Sequence, residues 1–303
     1  MATAFLLLLA VLLLAVGCQQ VRLTPRADLP EPPPESLRFA TWNVHYIWLE
    51  QEEGRWGLSG WEARKGPMDL TFKAVAPDVI SFQEMESFAR GGDGNVNLTR
   101  DWLLENNPGY AAAATGDAFL FPPTQPIFYR PDRLTLVDQG WFFFSRTPDV
   151  LYSRGFDGAT PSFTSWAIFE QSGSRFRVVN IHPDAFSRTN RIASAALVAE
   201  RIKPWLDAGE TLVLLGDFNA MHGSSIHQGF EALGLTFPKP PGTTYHLGSG
   251  LHLFGAIDHI GVSDPAMLAG EIVVYNRKLG DVWPSDHHPV VLDLRVPAAQ
   301  SGE

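Results

Sequence analysis

The segment LRFATWNV at residues 37–44 largely alternates between apolar and polar side chains and carries an amide, Asn43, near its end. That period of two predicts a β-strand. Three later segments also place polar groups where an apolar run stops or starts: Ile80-Ser81-Phe82-Gln83-Glu84, Gly216-Asp217-Phe218-Asn219-Ala220 and Ser285-Asp286-His287-His288-Pro289-Val290. Taken singly, each of these segments is compatible with a strand that borders a polar turn.

The composition is that of a globular protein, with 45% hydrophobic and 18% charged residues among 303. This length suits one large domain or two small ones, and no internal repeat is visible. Nine Trp and 20 Phe predict a large aromatic core. The formal net charge of -10 disfavours tight non-specific binding to a polyanion, because that binding depends on Lys and Arg that neutralise phosphates.

The first 36 residues predict an export signal followed by a tether. Residues 4–17 are almost wholly apolar, too short a run to span a bilayer comfortably but as long as a signal-peptide core. The sequence Leu14-Ala15-Val16-Gly17-Cys18 resembles a bacterial lipobox, in which the cysteine is lipidated and becomes the mature N-terminus. A plain secretory signal with an incidental cysteine is the alternative. Five prolines within residues 22–36 predict an extended tether, so we divide this region into a signal peptide (1–17) and a lipidated tether (18–36).

The rest of the chain predicts many strands and few long helices. Apolar runs and turn residues place strands at residues 37–44, 79–82, 126–129, 134–144, 165–169, 176–181, 211–215, 256–262, 271–275 and 290–296. Apolar spacing places helices at 101–106, 189–206 and 230–233, and at 61–76 with a break near Gly66-Pro67. Mixed hairpin and crossover links of this kind indicate an α/β protein with its strands in two layers.

Two of the polar residues, Glu84 and His287, suggest a chemical role by their type and position alone. A carboxylate at the end of a strand, as at Glu84, is a good ligand for a hard cation such as Mg²⁺ or Mn²⁺, although an exposed acid is the commoner outcome. An Asn after a strand, as at Asn43, is commonly a turn former. His287 follows Asp286 and precedes the proline that starts the last strand, and a histidine handles protons near neutral pH.

In this order the four segments resemble the active site of the endonuclease/exonuclease/phosphatase superfamily, the metal-dependent phosphoesterases related to pancreatic-type deoxyribonuclease. The resemblance extends from about residue 37 to residue 295. It implies a four-layer α/β/β/α sandwich of two packed mixed sheets, formed by one catalytic domain (37–297) with a short C-terminal tail (298–303). It also implies that the active site lies at the strand ends.

The resemblance assigns roles to eight residues. The metal centre would be formed by Glu84, with Asn43 beside it and Asp286 close by. Asp217 would orient or activate the attacking water, and Asn219 would donate to the phosphate. Asp258 matches the acid that orients His287, and His182 would bind the phosphate or protonate the leaving group.

Further segments resemble a bacterial branch near the deadenylase-like members. These are Pro126-Ile127-Phe128-Tyr129-Arg130, the aromatic strand of residues 141–148, and Thr243-Thr244-Tyr245-His246. The chain departs from that branch where a Glu is usual, at Thr124-Gln125, and where an Arg is usual, at Ser162. Both positions border the cleft in that branch, so the substrate stays open.

We therefore expect a hydrolase of phosphodiesters or phosphomonoesters that uses Mg²⁺ or Mn²⁺ and an activated water. The alternatives are a nuclease and a catalytically inactive binding lipoprotein. The expected partners are a phosphoester substrate (a small molecule, a lipid or a nucleic acid) and a membrane reached through the lipid on Cys18. Gln19, next to that cysteine, resembles outer-membrane sorting, which would place the protein in the bacterial cell envelope on the periplasmic face of the outer membrane.

Overall fold

The computed structural model describes residues 28–90 and 95–297. The predicted signal peptide, Cys18, most of the tether and the tail at 298–303 lie outside the described residues. None of the helices within the described ranges is long and apolar enough to cross a membrane. The lipid anchor and the domain boundaries stay predictions.

The structure consists of 13 strands, four α-helices and one 3-10 helix among the described residues. Numbered in chain order, the strands are β1 (Leu37–Asn43), β2 (Ile47–Trp48), β3 (Val79–Gln83), β4 (Ser87–Phe88), β5 (Ala111–Ala113), β6 (Ile127–Tyr129), β7 (Thr135–Phe143), β8 (Phe163–Gln171), β9 (Ser174–Ile181), β10 (Thr211–Asp217), β11 (Asp258–Val262), β12 (Val273–Val274) and β13 (Val290–Leu294). The helices are α1 (Leu58–Val75), α2 (Leu98–Asn106), α3 (Arg188–Asp207) and α4 (Ser225–Glu231), and the 3-10 helix is Pro265–Met267.

The strands form two mixed sheets and one short pair. The larger sheet has the order β12-β13-β1-β3-β6-β5, the smaller has the order β11-β10-β9-β8-β7, and β2 pairs with β4. One apolar cluster, which includes Phe39, Phe176 and Leu215, fills the space between the two large sheets. Helices α1 and α2 cover the outer face of the larger sheet, and α3 and α4 cover that of the smaller. This confirms the predicted four-layer α/β/β/α sandwich.

Strand register brings the polar segments together. Strand β1 runs parallel to β3 with Asn43 opposite Gln83, and β9 runs parallel to β10 with Ile181 opposite Gly216. Strand β11 runs antiparallel to β10, so that Asp258 lies opposite Asp217. Because side chains alternate along a strand, Asn43 and Asp217 lie on the faces that Phe39 and Leu215 turn toward the opposite sheet.

One helix differs from its prediction. The Gly66-Pro67 pair was expected to break the first helix, but α1 runs unbroken from Leu58 to Val75 with Pro67 inside it. A proline removes one backbone hydrogen bond and costs about 3 kcal/mol. Trp61 and Met68, before and after Pro67, are both buried against the larger sheet, and this burial on each side offsets the loss.

Three other predicted elements differ in extent or partner. The helix expected at 230–233 begins earlier, at Ser225, and the strand expected at 271–275 keeps only Val273–Val274 in register with β13. The strands predicted at 126–129 and 134–144 exist, but the turn between them carries the chain from one sheet to the other. The strands predicted at 165–169 and 176–181 are present as β8 and β9, and they form a hairpin with Gln171 opposite Ser174.

A buried polar network crosses the sandwich beneath the strand ends. Asn180 on β9 is fully buried; its Nδ2 donates to the carbonyl of Phe82 (2.9 Å), and its Oδ1 accepts from Gln83 Nε2 (2.7 Å). Gln83 Nε2 also donates to Thr41 Oγ1 at 3.0 Å. These bonds join the two sheets at fixed positions, because buried polar groups are costly to leave unpaired.

We predict that Asn180→Ala lowers the free energy of unfolding by about 2–4 kcal/mol, since it removes two buried hydrogen bonds, one with Gln83 and one with the Phe82 carbonyl. Denaturant unfolding measures this change. The matched control is Asn106→Ala, which removes one bond to the Trp102 carbonyl at the end of α2 and should cost less than about 1 kcal/mol. Equal effects of the two substitutions would contradict the assigned importance of the network.

Candidate active site

An amide links the two sheets at the strand ends. Asn43 Nδ2 donates to Glu84 Oε1 at 3.1 Å and to Asp217 Oδ2 at 3.2 Å. Glu84 follows β3 in the larger sheet, whereas Asp217 ends β10 in the smaller one. The amide oxygen of Asn43 accepts from the backbone N–H of His45 at 3.1 Å. Asn43 therefore holds both carboxylates with its nitrogen while its oxygen is engaged elsewhere.

The predicted acid–histidine pair is present and deeply buried. His287 Nδ1 lies 2.9 Å from Asp258 Oδ2, and His287 Nε2 lies 3.8 Å from Asp217 Oδ2. The Asp258 side chain is fully buried, and that of His287 is 6% exposed. Because a carboxylate can only accept, the Nδ1 proton points at Asp258 and Nε2 faces Asp217.

The charges of this group are set by burial and by one another. Burial by itself lowers the pKa of His287, but the carboxylates of Asp258 and Asp217 overcome it and raise that pKa to about 10. Burial and the neighbouring carboxylate of Asp258 raise the pKa of Asp217 above its ordinary value. At neutral pH the ring of His287 is therefore a cation between two carboxylates.

His182 and Asn219 complete the edge of the smaller sheet. His182 Nε2 lies 3.6 Å from Asp217 Oδ2 and 3.9 Å from Glu84 Oε1, and its side chain is 22% exposed. The Asn219 backbone N–H donates to Asp217 Oδ1 at 2.9 Å, and its side-chain amide donates to the Pro183 carbonyl at 3.0 Å. His182 therefore faces the solvent side of the carboxylates, while Asn219 fixes the loop that carries Asp217.

Backbone geometry at the site is unusual at several positions. Glu84 (φ 54°), Asn219 (φ 46°) and His45 (φ 62°) all adopt the left-handed conformation, which costs about 1–2 kcal/mol for a residue with a side chain. Gly216 has φ 144°, and a Cβ there would lie 2.0 Å from the Ile181 carbonyl oxygen. The surrounding contacts must offset the cost of these conformations at the site.

Asp286 contacts Arg55, a residue of the site that the sequence patterns did not identify. Arg55 Nη2 lies 2.8 Å from Asp286 Oδ2, and His45 Nδ1 lies 3.5 Å from Asp286 Oδ1. Burial lowers the pKa of His45 to about 4, so His45 is neutral at neutral pH and the ion pair of Asp286 is the one with Arg55. Arg55 lies in a turn before α1, and no pattern in the sequence marked it.

Other residues support the histidine from outside the catalytic group. Trp42 Nε1 donates to the His287 carbonyl at 3.0 Å, and Ser285 Oγ donates to the Asn43 carbonyl at 2.6 Å. The Tyr245 ring lies 4.9 Å from the His287 ring, centroid to centroid. Thr244 Oγ1 accepts from the backbone N–H of Asp258 at 3.2 Å. The segment Thr243-Thr244-Tyr245-His246 therefore helps to position the Asp258–His287 pair.

A cleft of about 330 Å³ opens beside Glu84 and His182. Its walls include Thr124, Gln125 and Ser162, the positions where the chain departs from the bacterial branch. The half-buried Glu86 also lines this cleft, and burial, helped by the charge of Glu84, raises its pKa to about 7. The cleft therefore differs in its charged groups from the pattern of that branch, while the residues predicted to bind a metal and to handle protons are all present.

The donor set around Glu84 fits a divalent cation. The Glu84 carboxylate is one-quarter exposed, and among the described residues its sole ion-pair partner is the His182 imidazole. By contrast, Asp286 has Arg55, and Asp258 has His287. Hard oxygen donors that lack a permanent cation are typical of Mg²⁺ or Mn²⁺ sites. Contacts link seven of the eight predicted residues into one cluster, whereas the eighth, Asp286, contacts Arg55 and His45. Their individual roles stay predictions.

Comparison with known proteins places this arrangement in a family. The sequence model of the endonuclease/exonuclease/phosphatase family matches residues 40–287, most of the chain. A comparison with curated protein sequences finds no match.

Solved structures agree with that match. An endonuclease/exonuclease/phosphatase family protein from Bacteroides thetaiotaomicron is 25% identical with a TM-score of 0.71, over 87% of this chain and 98% of that one. A mannosyl-6-phosphatase from the same organism is 26% identical with a TM-score of 0.70, over 86% of this chain and 99% of that one. The catalytic domain of human nocturnin, with bound sulfate, shares the fold at 19% identity and a TM-score of 0.56, over 87% and 95%. The chain therefore belongs to the endonuclease/exonuclease/phosphatase family, whose members are hydrolases of phosphoester bonds.

Proposed function

We propose that this protein is a divalent-metal-dependent phosphoesterase that hydrolyses a small or lipid-linked phosphoester. The observation that carries the proposal is the contact of Asn43 with both Glu84 and Asp217, in the same cluster as the buried Asp258–His287 pair. This cluster supplies a carboxylate for a cation, a base for water and a proton donor for phosphoryl oxygen, which are the functions that the reaction needs.

The roles of the protein groups follow from their charges. Asp217, whose pKa is raised by burial and by Asp258, is the carboxylate best suited to accept a proton from the attacking water. The cationic His287 can donate a hydrogen bond from Nε2 to a phosphoryl oxygen while Asp258 holds its ring. Preorganised donors of this kind stabilise charge that develops in the transition state.

The solvent side of the site handles the leaving group and the cation. His182 lies at the mouth of the cleft, where it can protonate the departing oxygen. A divalent cation held by Glu84, with Asp286 nearby, would neutralise the charge of the phosphoryl group and favour attack in line. Asn43 keeps the Glu84 carboxylate in position for that cation.

The charge of the chain supports a small or lipid-linked substrate over duplex DNA. Lys and Arg total 23 against 33 acids, and a duplex binder needs a basic stripe that neutralises several phosphates. The cleft beside Glu84 also has an apolar rim that includes Phe163 and the fully exposed Phe186. A relative at 26% identity is a mannosyl-6-phosphatase, which adds support for a phosphomonoester.

The two alternatives are weaker. A nuclease would use the same catalytic groups, but the acidic composition provides little attraction for a polyanion. A binding lipoprotein without activity would not need an acid–histidine pair, a strained Glu84 and an amide that bridges two carboxylates. Retention of the whole set therefore favours catalysis.

We also propose that the protein is tethered to the bacterial cell envelope through Cys18, on the periplasmic face of the outer membrane. The support is the lipobox-like sequence before Cys18 and the proline-rich segment after it. An enzyme held in this place would meet lipids and scavenged phosphoesters.

His287→Ala should lower kcat by at least about a hundredfold, the usual scale for the loss of a preorganised donor that stabilises charge in the transition state. Asp258→Asn should act in the same direction, because His287 Nδ1 loses the carboxylate that orients it. Steady-state kinetics on folded protein measures both.

The matched control for His287 is its neighbour His288, which is buried and stacked on His246 at 4.0 Å, away from the carboxylates. His288→Ala should reduce kcat far less than His287→Ala. If His288→Ala proves more damaging, the catalytic histidine has been misassigned by one position.

Mass spectrometry of the mature protein should find a lipid on Cys18 at its N-terminus. Cys18→Ser should release the protein from membranes and leave kcat unchanged, because the residue lies outside the catalytic domain. An unmodified Cys18, or cleavage at another position, would contradict the anchor.

A further inference from the structure

Three histidines that the proposed reaction does not use converge behind the catalytic loop. His222 lies in the loop after β10, His227 lies on α4 and His259 lies on β11. Each offers a ring nitrogen within 4.8 Å of those of the other two. The rings of His227 and His259 lie 4.2 Å apart, centroid to centroid, and nearly perpendicular.

The hydrogen bonds of the two buried rings leave one free nitrogen on each. His259 Nε2 lies 2.9 Å from the Ala220 carbonyl, which can only accept, so Nε2 carries the proton and Nδ1 carries the lone pair. His227 Nδ1 lies 3.1 Å from Ser224 Oγ, which can accept its proton. Both His227 and His259 are fully buried, and His222 Nδ1, His227 Nε2 and His259 Nδ1 have no hydrogen-bond partner.

These hydrogen bonds match the way in which histidines bind metals. A metal-bound histidine usually donates its other N–H to a carbonyl or similar oxygen, which fixes the ring and its tautomer. Burial lowers the pKa of His227 to about 4 and that of His259 well below its ordinary value, so both rings keep their lone pairs at neutral pH. Unpaired buried nitrogens are otherwise costly.

The cluster is separate from the catalytic centre. Side chains alternate along a strand, so His259 faces away from its neighbour Asp258, toward the helix layer. Phe218, which follows Asp217, stacks on His227 at 5.2 Å and packs edge-on against His259 at 5.3 Å. The aromatic ring of Phe218 therefore lies at the base of the cluster, and Asp217 belongs to the opposite face of β10.

We propose that His222, His227 and His259 form a second metal site, for Zn²⁺, that ties the loop after Asp217 to α4 and β11. Three neutral imidazoles suit a borderline-soft ion such as Zn²⁺ and not Mg²⁺, which prefers oxygen. Zn–N bonds of about 2.0–2.1 Å place tetrahedral nitrogens about 3.3 Å apart. The half-buried His222 lies on a loop and can close the remaining gap, and water fills the fourth position.

The test measures Zn²⁺ binding by the full chain, purified without a polyhistidine tag, stripped of metal and carrying Glu84→Gln to weaken the catalytic centre. Equilibrium dialysis with elemental analysis should find one tightly bound Zn²⁺. The His222→Gln substitution, added to this chain, should weaken its binding at least about a hundredfold, since even loss of an outer partner of a metal ligand costs about 10–100-fold. Zn²⁺ should raise Tm by about 5 °C or more in the parent and not in the His222→Gln variant.

The matched control is His252→Gln. His252 is also half-buried with an unpartnered Nδ1, but it does not belong to the converging group, so this variant should bind Zn²⁺ as the parent does. Absence of tight binding in the parent would overturn the proposal, whether or not any variant folds. Equal binding by the parent and the His222→Gln variant would overturn it as well. Because turnover is not measured, this result is independent of the proposed phosphoesterase activity.

Discussion

One amide joins the two halves of the candidate active site. Asn43 Nδ2 bonds the carboxylates of Glu84, from the larger sheet, and Asp217, from the smaller. Two carboxylates brought within reach of one donor repel each other. The site therefore depends on a rigid frame, which the Gln83–Asn180 bond between the sheets supplies directly beneath the strand ends. The sandwich therefore holds two like charges close together that would otherwise move apart.

The electrostatics of the site follow from that frame. Asp217 and Asp258 are buried together, and the cationic ring of His287 is their principal compensation. Glu84 is left partly exposed with a carboxylate that neither Lys nor Arg neutralises among the residues described. The protein thus has one closed acid–histidine cluster, which we propose handles protons, and one open carboxylate, which we propose binds a cation. Phosphoester hydrolysis requires both a cation that neutralises charge on the phosphoryl group and side chains that move protons.

Much of this could be predicted from the sequence, because strand ends and polar motifs are local signals. Asn43, Glu84 and His287 each lie next to an apolar run, and register alone brings them together. The partner of Asp286 could not be predicted, since Arg55 reaches it from a turn 231 residues away in the chain. The sequence also did not show that α1 continues through Pro67, because that continuity depends on burial of the helix against a sheet. The cluster of His222, His227 and His259 could not be predicted either, because no regular spacing in the sequence marks these residues. Only the packing of a loop, a helix and a strand brings them together.

The most direct test of the account is metal-dependent turnover of phosphomonoesters, phospholipids and plasmid DNA by the purified chain, with Glu84→Gln and Glu86→Gln measured beside it. We predict turnover of a small or lipid-linked phosphoester in Mg²⁺ or Mn²⁺. Excess chelator and Glu84→Gln should each abolish that turnover. Glu86→Gln should largely keep it, although Glu86 lines the same cleft two residues after Glu84. Undiminished turnover in chelator or in Glu84→Gln would contradict the metal centre, and efficient plasmid cleavage without turnover of any smaller ester would contradict the substrate class.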